Sequence, residues 1–352
     1  MPSLDRKIQA LQVVESGKKS GAIPKDFKLI LGNEIYLVNS LEEVKDSYIP
    51  KQTKFWHFLL LAKDEIGHKQ LRILSSLAWD NSFYTGTMER TPTLKNDLER
   101  IVKENPGHLI ASTACIGGEA AHWIMNKNIE NFNEFIGYCY ELFGDDFYLE
   151  MQPNNSEEQV LVNQTLLNIS NQLKIPFIVT CDAHYINKED KLFHEAFLKS
   201  HEEEREVGDF YETTYMMDEY EIHEYLDWQI GKDNVDIAIS NTEKIGQKVK
   251  EYTLAHSTIV PGADIPEYQE EHYFQHYYAD HEYIKKFAYS DNEYDRYLLH
   301  LIENGFKKKG YYVGIPEEEL NTLIDRIEIE LSEMWKVTEK IKNSISSYQH
   351  WN

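Results

Sequence analysis

Apolar and polar positions along this chain follow two alternating rhythms. Leu4, Ile8, Leu11 and Val14 recur at helical spacing, and Lys18-Lys19 followed by Gly21 closes the pattern, which predicts a helix over residues 4–19. Short apolar runs then predict strands at Lys28–Leu31, Ile35–Val38 and His57–Ala62, with Gly32-Asn33-Glu34 between the first two. Ile66, Leu71, Leu74 and Leu77 mark a second helix. Leu109–Ser112 reads as a strand ending in the small-residue turn Ala114-Cys115-Ile116-Gly117-Gly118. A helix over Phe132–Phe143 stops at Gly144, and a strand follows at Phe147–Met151. A helix over Glu157–Leu173 precedes a strand at Pro176–Thr180, which runs into Cys181-Asp182-Ala183-His184.

Strand and helix thus alternate to about residue 190. That order predicts an α/β fold of βα units and a mostly parallel sheet, open or closed into a barrel. In such folds the chemistry lies beyond the C-terminal strand ends. After residue 200 the texture changes. Residues 201–225 are acidic and tyrosine-rich, residues 234–250 read as a helix, and residues 264–294 mix Tyr, His, Asp and Glu with little period. Helices are predicted again at 294–309 and 316–345, and the last ~90 residues read as a helical extension. No internal repeat is visible.

The 352 residues carry 36 Lys and Arg against 60 Asp and Glu, a net charge of −24. That balance argues against non-specific DNA binding by this chain alone, since phosphate contact needs clustered cations. Three cysteines, Cys115, Cys139 and Cys181, make no disulfide framework and suit a reducing cytoplasm. No apolar stretch follows the first residues, so no signal peptide is expected. The longest apolar run, Phe58–Ala62, falls far short of the ~20 residues that cross a bilayer.

The informative chemistry is where metal-capable side chains fall. Glu34, His57, Cys115, and the Asp182-Ala183-His184 pair each sit at a predicted strand end. A carboxylate, an imidazole and a thiol on one rim would suit Zn, Mn or Fe. Each also has a bland reading: a solvated glutamate, a packed cysteine, an Asx turn with a hydrogen-bonded histidine. Spacing alone does not decide between them. His272, His276 and His281, among Glu270, Glu271 and Asp280, are a weaker candidate, better read as a solvated acidic face. Gly117-Gly118 is not a phosphate-binding P-loop, because no Gly-Lys-Ser/Thr follows, and no nucleophile elbow occurs.

Six segments occur in a telling order: Gly32-Asn33-Glu34, His57-Phe58-Leu59-Leu60-Leu61-Ala62-Lys63, Leu74-Ser75-Ser76-Leu77-Ala78, Ala114-Cys115-Ile116-Gly117-Gly118-Glu119, Phe147-Tyr148-Leu149-Glu150-Met151-Gln152 and Cys181-Asp182-Ala183-His184-Tyr185. Together they resemble the polymerase-and-histidinol-phosphatase (PHP) domain of the bacterial replicative DNA polymerase III alpha subunit, over roughly residues 10–260. Tyr297-Leu298 to Gly305-Phe306-Lys307 and Arg326–Leu331 resemble, more weakly, the lead-in to the polymerase palm. The resemblance implies a distorted seven-stranded (β/α) barrel with a metal cluster at one rim. It matches Glu34, His57, Cys115, Asp182 and His184 to five ligand positions. Active members hold two or three Zn, Mn or Fe ions and hydrolyse phosphoesters.

The departures set the expectations. The family's opening His-x-His strand, its Asp and its Thr-Asp-His-Gly motif have no counterpart here; the last would fall near Pro2–Asp5. Four of the nine family ligands and about two strands are therefore expected to be absent, and the chain ends at Asn352, before the palm aspartates. The expected organisation is an incomplete PHP-like barrel over 1–258 and a helical extension over 259–352. The resemblance implies a structural and interaction module in DNA replication. Its partners would be replication proteins or the remaining parts of a split polymerase. It would meet DNA only indirectly and would be able to self-associate through an exposed strand edge. The other reading is a metal-dependent phosphoesterase or 3′–5′ exonuclease whose cluster a partner chain completes.

Overall fold

A computed structural model describes residues 4–50, 52–200, 209–254, 264–311 and 313–341. The acidic run Glu202-Glu203-Glu204 lies outside them, as does the position near Pro2. The chain forms two compact units, meeting in sequence at residue 255.

The first unit opens with helix α1 (Leu4–Ser20), then strands β1 (Gly32–Val38) and β2 (Trp56–Ala62) and helix α2 (Glu65–Asp80). A small hairpin, β3 (Phe83–Thr85) and β4 (Met88–Arg90), leads to β5 (Thr93–Leu94) and α3 (Lys95–Glu104). Next come β6 (Leu109–Ser112), α4 (Glu119–Met125), α5 (Ile129–Phe143), β7 (Phe147–Met151), α6 (Glu157–Leu173) and β8 (Phe177–Val179). Helices α7 (Lys191–Lys199), α8 (Glu219–Ile230) and α9 (Lys232–Lys248) complete it.

The main sheet has the order β5-β1-β2-β6-β7-β8, and among the described residues no ladder joins β5 to β8. Among the described residues three of this sheet's five pairings are parallel, as strand–helix alternation predicts, and two are antiparallel. β6, β7 and β8 run parallel, as do β1 and β5, but β2 runs antiparallel to both β1 and β6. The reason is the connection from β1 to β2. It lacks an amphipathic helix of crossover length, so the chain returns beside β1 in the opposite sense.

A second departure concerns β1. Lys28–Leu31 is irregular, and Gly32-Asn33-Glu34 lies within the strand instead of between two strands. Ile35 and Leu37 point into the core while Glu34 and Tyr36 alternate outward, so polar outward positions mimic a turn. On β2 the same alternation buries Phe58, Leu60 and Ala62 and turns His57 to the other side. The core between this sheet face and α2–α6 is built on Phe58, Leu60, Leu71, Leu74, Leu98, Phe132, Phe135 and Phe147. On the opposite face, Ile110, Tyr148 and Ile178 pack against Ile245 and Val249.

The second unit contains α10 (Glu282–Ala288), α11 (Glu293–Lys309) and α12 (Glu317–Ile341) around Phe274, Ile284, Phe287, Leu299, Phe306, Ile324 and Leu331. Residues 264–294, which show little period, contribute α10 and the buried Phe274. Their polar composition has structural uses. Glu328 accepts from the Tyr283 and Ile284 backbone N–H groups at 2.8 and 2.9 Å, capping α10, and buried Glu303 accepts from the Phe274 N–H at 2.9 Å. Among the described residues no helix is long and apolar enough to cross a membrane.

His68 on α2 is 1% exposed, and neither ring nitrogen has a hydrogen-bond partner. Burial, with repulsion from Lys7 and Arg72, pushes its pKa down from 6.5 to about 4. A group depressed on folding contributes stability that is present above its unfolded pKa and lost as the pH falls. The first unit should therefore lose up to about 3 kcal/mol between pH 6.5 and 4 through this residue. Urea midpoints measured against pH should fall over that window, and His68→Leu should flatten the fall.

Candidate metal centre

The antiparallel setting of β2 creates the site. It brings the N-terminal end of β2 to the same sheet edge as the C-terminal ends of β1, β6, β7 and β8. Tyr36 on β1 lies directly across from His57 on β2, so Glu34 reaches His57 diagonally on the same face. The His57 Nδ1–H donates to Glu34 Oε1 at 2.6 Å. This hydrogen bond holds Glu34 below the usual carboxylate range, and its counterpart raises His57 above the ordinary histidine value.

Cys115 reaches the same imidazole through the turn after β6. The His57 N–H donates to the Gly117 carbonyl at 3.2 Å, and the Gly118 N–H donates to the Cys115 carbonyl at 2.8 Å. Turn and strand therefore meet backbone to backbone, which leaves Cys115 Sγ 3.3 Å from His57 Nδ1. Ala114 adopts a left-handed conformation there (φ 57°), a strain of about 1–2 kcal/mol for a non-glycine residue.

The loop after β8 supplies the other two donors. Asp182 also takes a left-handed conformation (φ 44°), which aspartate tolerates better than most residues. Its carboxylate accepts from the Cys115 thiol, and Asp182 Oδ1 lies 3.7 Å from His184 Nε2. The His184 N–H is tied to the Thr214 carbonyl at 2.8 Å, and its ring packs against His194 and Tyr211. Glu34, His57, Cys115, Asp182 and His184 thus form one connected chain of contacts. Burial raises Asp182, and burial together with the Asp182 charge pushes the Cys115 thiol far up.

Carboxylate, imidazole and thiol converge here without a lysine or arginine at hydrogen-bond distance from any of the five, among the described residues. The donor set fits a divalent cation: charge would stabilise the desolvated Asp182 carboxylate and the Cys115 thiolate together.

Sequence reasoning assigned no role to Glu150. It is the single charged residue in the all-buried strand β7, and that placement was the available signal. Its carboxylate accepts from Ser112 at the end of β6, from Thr180 Oγ1 beyond β8 at 2.5 Å and from Gln152 Nε2 at 3.2 Å. Burial raises its pKa. His272, His276 and His281 engage different groups: Glu270 at 3.6 Å, the Tyr277 ring, and Asp325 at 2.9 Å. A further set of donors, Glu219, His223 and Asp236, meets where α8 faces α9. His223 spends both ring nitrogens on Asp227 and Asp236, at 2.6 and 3.2 Å, and the acidic groups stand in solvent.

Gly118 has no room for a side chain. A Cβ there would lie 2.4 Å from the Thr113 carbonyl oxygen and 3.2 Å from that of His57. Gly118→Ala should cost ~1–3 kcal/mol by forcing the turn away from β2. A thermal melt tests this, and Gly137→Ala, where a Cβ meets nothing within 4 Å, should leave the midpoint unchanged or raised.

The PHP domain family matches residues 6–154. The chain is 46% identical to the probable DNA polymerase YorL of Bacillus subtilis and to a DNA-directed DNA polymerase of Bacillus phage SPbeta, over 98% of this chain and 28% of each relative. It is 29% identical to the DNA polymerase III subunit alpha of Borreliella burgdorferi, over 74% of this chain and 21% of that protein. The chain thus spans between about a fifth and little more than a quarter of these relatives. The family match contains Glu34, His57 and Cys115 and ends before Asp182 and His184. Residues 6–154 are therefore a PHP domain, and the chain is homologous to part of DNA polymerases of the III alpha kind.

Proposed function

We propose that this chain is the PHP portion of a replicative DNA polymerase of the III alpha kind and serves DNA replication as a structural and interaction module in the cytoplasm. Within it, Glu34, His57, Cys115, Asp182 and His184 bind Zn, Mn or Fe. The observation that carries the metal reading is the unbroken chain of contacts from Glu34 through His57, Cys115 and Asp182 to His184. Its partners would be other replication proteins or further parts of the polymerase, and DNA would be met through them. Residues 1–258 would act as the PHP unit and 259–352 as the extension toward the palm.

A second reading, phosphoesterase or 3′–5′ exonuclease activity, is favoured by the exposure of the donors at one sheet edge. Glu34 and His184 side chains are 43% and 39% exposed, so a phosphate could approach them. When bound, the cations would stabilise charge developing on a phosphoryl group. Glu34 would hold the His57 ring through Nδ1, and the Thr214 carbonyl would fix the backbone of His184.

Elemental mass spectrometry after exhaustive dialysis should find near-stoichiometric Zn, Mn or Fe. Asp182→Ala and Cys115→Ala should each weaken retention at least ~10-fold. A folded chain that takes up no metal would refute the metal reading. For the second reading, release of a 3′ label from an oligonucleotide with Mn²⁺ should disappear in the Asp182→Ala/His184→Ala double variant; undiminished release would identify a contaminant.

A further inference from the structure

Two helices of the first unit, α8 and α9, are joined by Gly231 alone, which takes a positive φ of 86°. Where they face each other, Glu219 and His223 of α8 and Asp236 of α9 each bring one carboxylate oxygen or ring nitrogen within 4.8 Å of the other two. Glu219 and His223 are four residues apart and so share a helix face. None of the three belongs to the five-donor centre, and the set contains no sulfur. Among the described residues, no lysine or arginine makes an ion pair with Glu219, Asp227 or Asp236.

The histidine separates this cluster from an ordinary acidic surface. His223 Nδ1 lies 2.6 Å from Asp227 Oδ1, and Nε2 lies 3.2 Å from Asp236 Oδ1. A neutral imidazole carries a single N–H. The shorter contact takes it, so Nδ1–H donates to Asp227 and the Nε2 lone pair faces a carboxylate oxygen. Two acceptors so placed need positive charge between them, either a second proton on the ring or a cation. Asp227 also supplies what a ligating histidine needs: a carboxylate on the far nitrogen fixes the tautomer, orients the ring and strengthens the donor. The His223 side chain is 17% exposed, against 40% and 51% for Asp227 and Asp236. The ring is thus held while the carboxylates have room to turn. Donors ~2.0–2.2 Å from a tetrahedral ion stand ~3.3 Å apart, so rotation of Glu219 and Asp236 closes the set.

We propose that Glu219, His223 and Asp236 bind a Zn²⁺ ion, with Asp227 holding the His223 ring from behind. One imidazole and two carboxylates suit a borderline divalent ion, whereas Ca²⁺ and Mg²⁺ take oxygen donors. Three protein ligands leave a position for water on the solvent side. The ion ties the first turn of α8, which contains Glu219, to α9 across the one-residue link. Its charge also offsets carboxylates in a chain of net charge −24. The site is independent of the five-donor reading and stands if that reading fails.

The test uses the chelator-stripped full chain and Zn²⁺ alone. Cys115→Ala/Asp182→Ala removes donors of the other centre, and circular dichroism verifies folding. In that background, titration calorimetry should find one equivalent of Zn²⁺. His223→Gln and Asp236→Asn should each weaken binding at least ~10-fold, and Asp227→Asn should weaken it by a similar factor although it removes no ligand. Zn²⁺ should raise the melting midpoint, and His223→Gln should abolish the rise. A folded background variant that takes up no Zn²⁺, or whose uptake His223→Gln and Asp236→Asn leave unchanged, would overturn the proposal. If that variant does not fold, Co²⁺ is titrated into the unsubstituted chain. Cobalt absorption that His223→Gln removes, with any thiolate charge-transfer band unchanged, would support the site; a spectrum that His223→Gln leaves intact would overturn it. Nitrogen-15 NMR of the ring separates ion from proton. Nε2 should carry no proton in the Zn²⁺-loaded chain, and two protonated ring nitrogens under excess Zn²⁺ would overturn the proposal in favour of an imidazolium between two carboxylates.

Discussion

A buried carboxylate governs how this site is assembled. Glu150 lies fully inside β7 and is held by hydroxyl groups from the strands on either side, Ser112 of β6 and Thr180 after β8. Its own N–H donates to Thr113 Oγ1 at 2.9 Å. Burying an unpaired carboxylate is prohibitive, so these hydroxyls must stay where they are for the core to remain whole. They mark the points where β6 and β8 give way to the turns that carry Cys115, Asp182 and His184. The cost of burial thus becomes positional accuracy at the sheet edge.

The remaining two donors depend on a different device. Glu34 and His57 come from an antiparallel pair whose outer face is open, and their mutual hydrogen bond orients both. The site therefore spans two kinds of sheet. A parallel βα limb positions sulfur and carboxylate through loops, and an antiparallel limb positions carboxylate and imidazole through strand register. A one-residue slip of β1 on β2 would turn Glu34 into the core and remove it from His57.

Much of this was legible in the sequence. The apolar runs of β2, β6 and β7 and the capped helix α6 fall where the pattern places them, because burial and periodicity agree there. The family resemblance, carried by six motifs, anticipated the PHP domain. The orientation of β2 was not legible, since periodicity is blind to strand direction. Nor was β1, whose outward Glu34 and Tyr36 imitate a turn. Helix α8 was hidden by an acidic, tyrosine-rich composition, although Asp218 and Glu221 form a capping box at its start. At the site, the sequence singled out the five side chains one by one. It could not show that the Cys115 thiol bridges toward both His57 and Asp182, because that depends on the backbone bond from the His57 N–H to the Gly117 carbonyl and on the bond from the Gly118 N–H to the Cys115 carbonyl within the turn.

The pairing of β2 with β6 has a kinetic consequence. Leu59 lies beside Ser112, so this ladder closes only after α2, the β3–β4 hairpin, β5 and α3 have been gathered between the two strands. The β1–β2 and β6–β7–β8 limbs form from partners 19–36 residues apart, against 47–53 for the ladder between them. Loop-closure entropy makes the joining of the limbs the slower step. The donor set is divided across that seam, with Glu34 and His57 on one limb and Cys115, Asp182 and His184 on the other. Its completion is thus a late event, and a cation captured there would act as a latch on the finished fold, slowing its opening more than it speeds its formation.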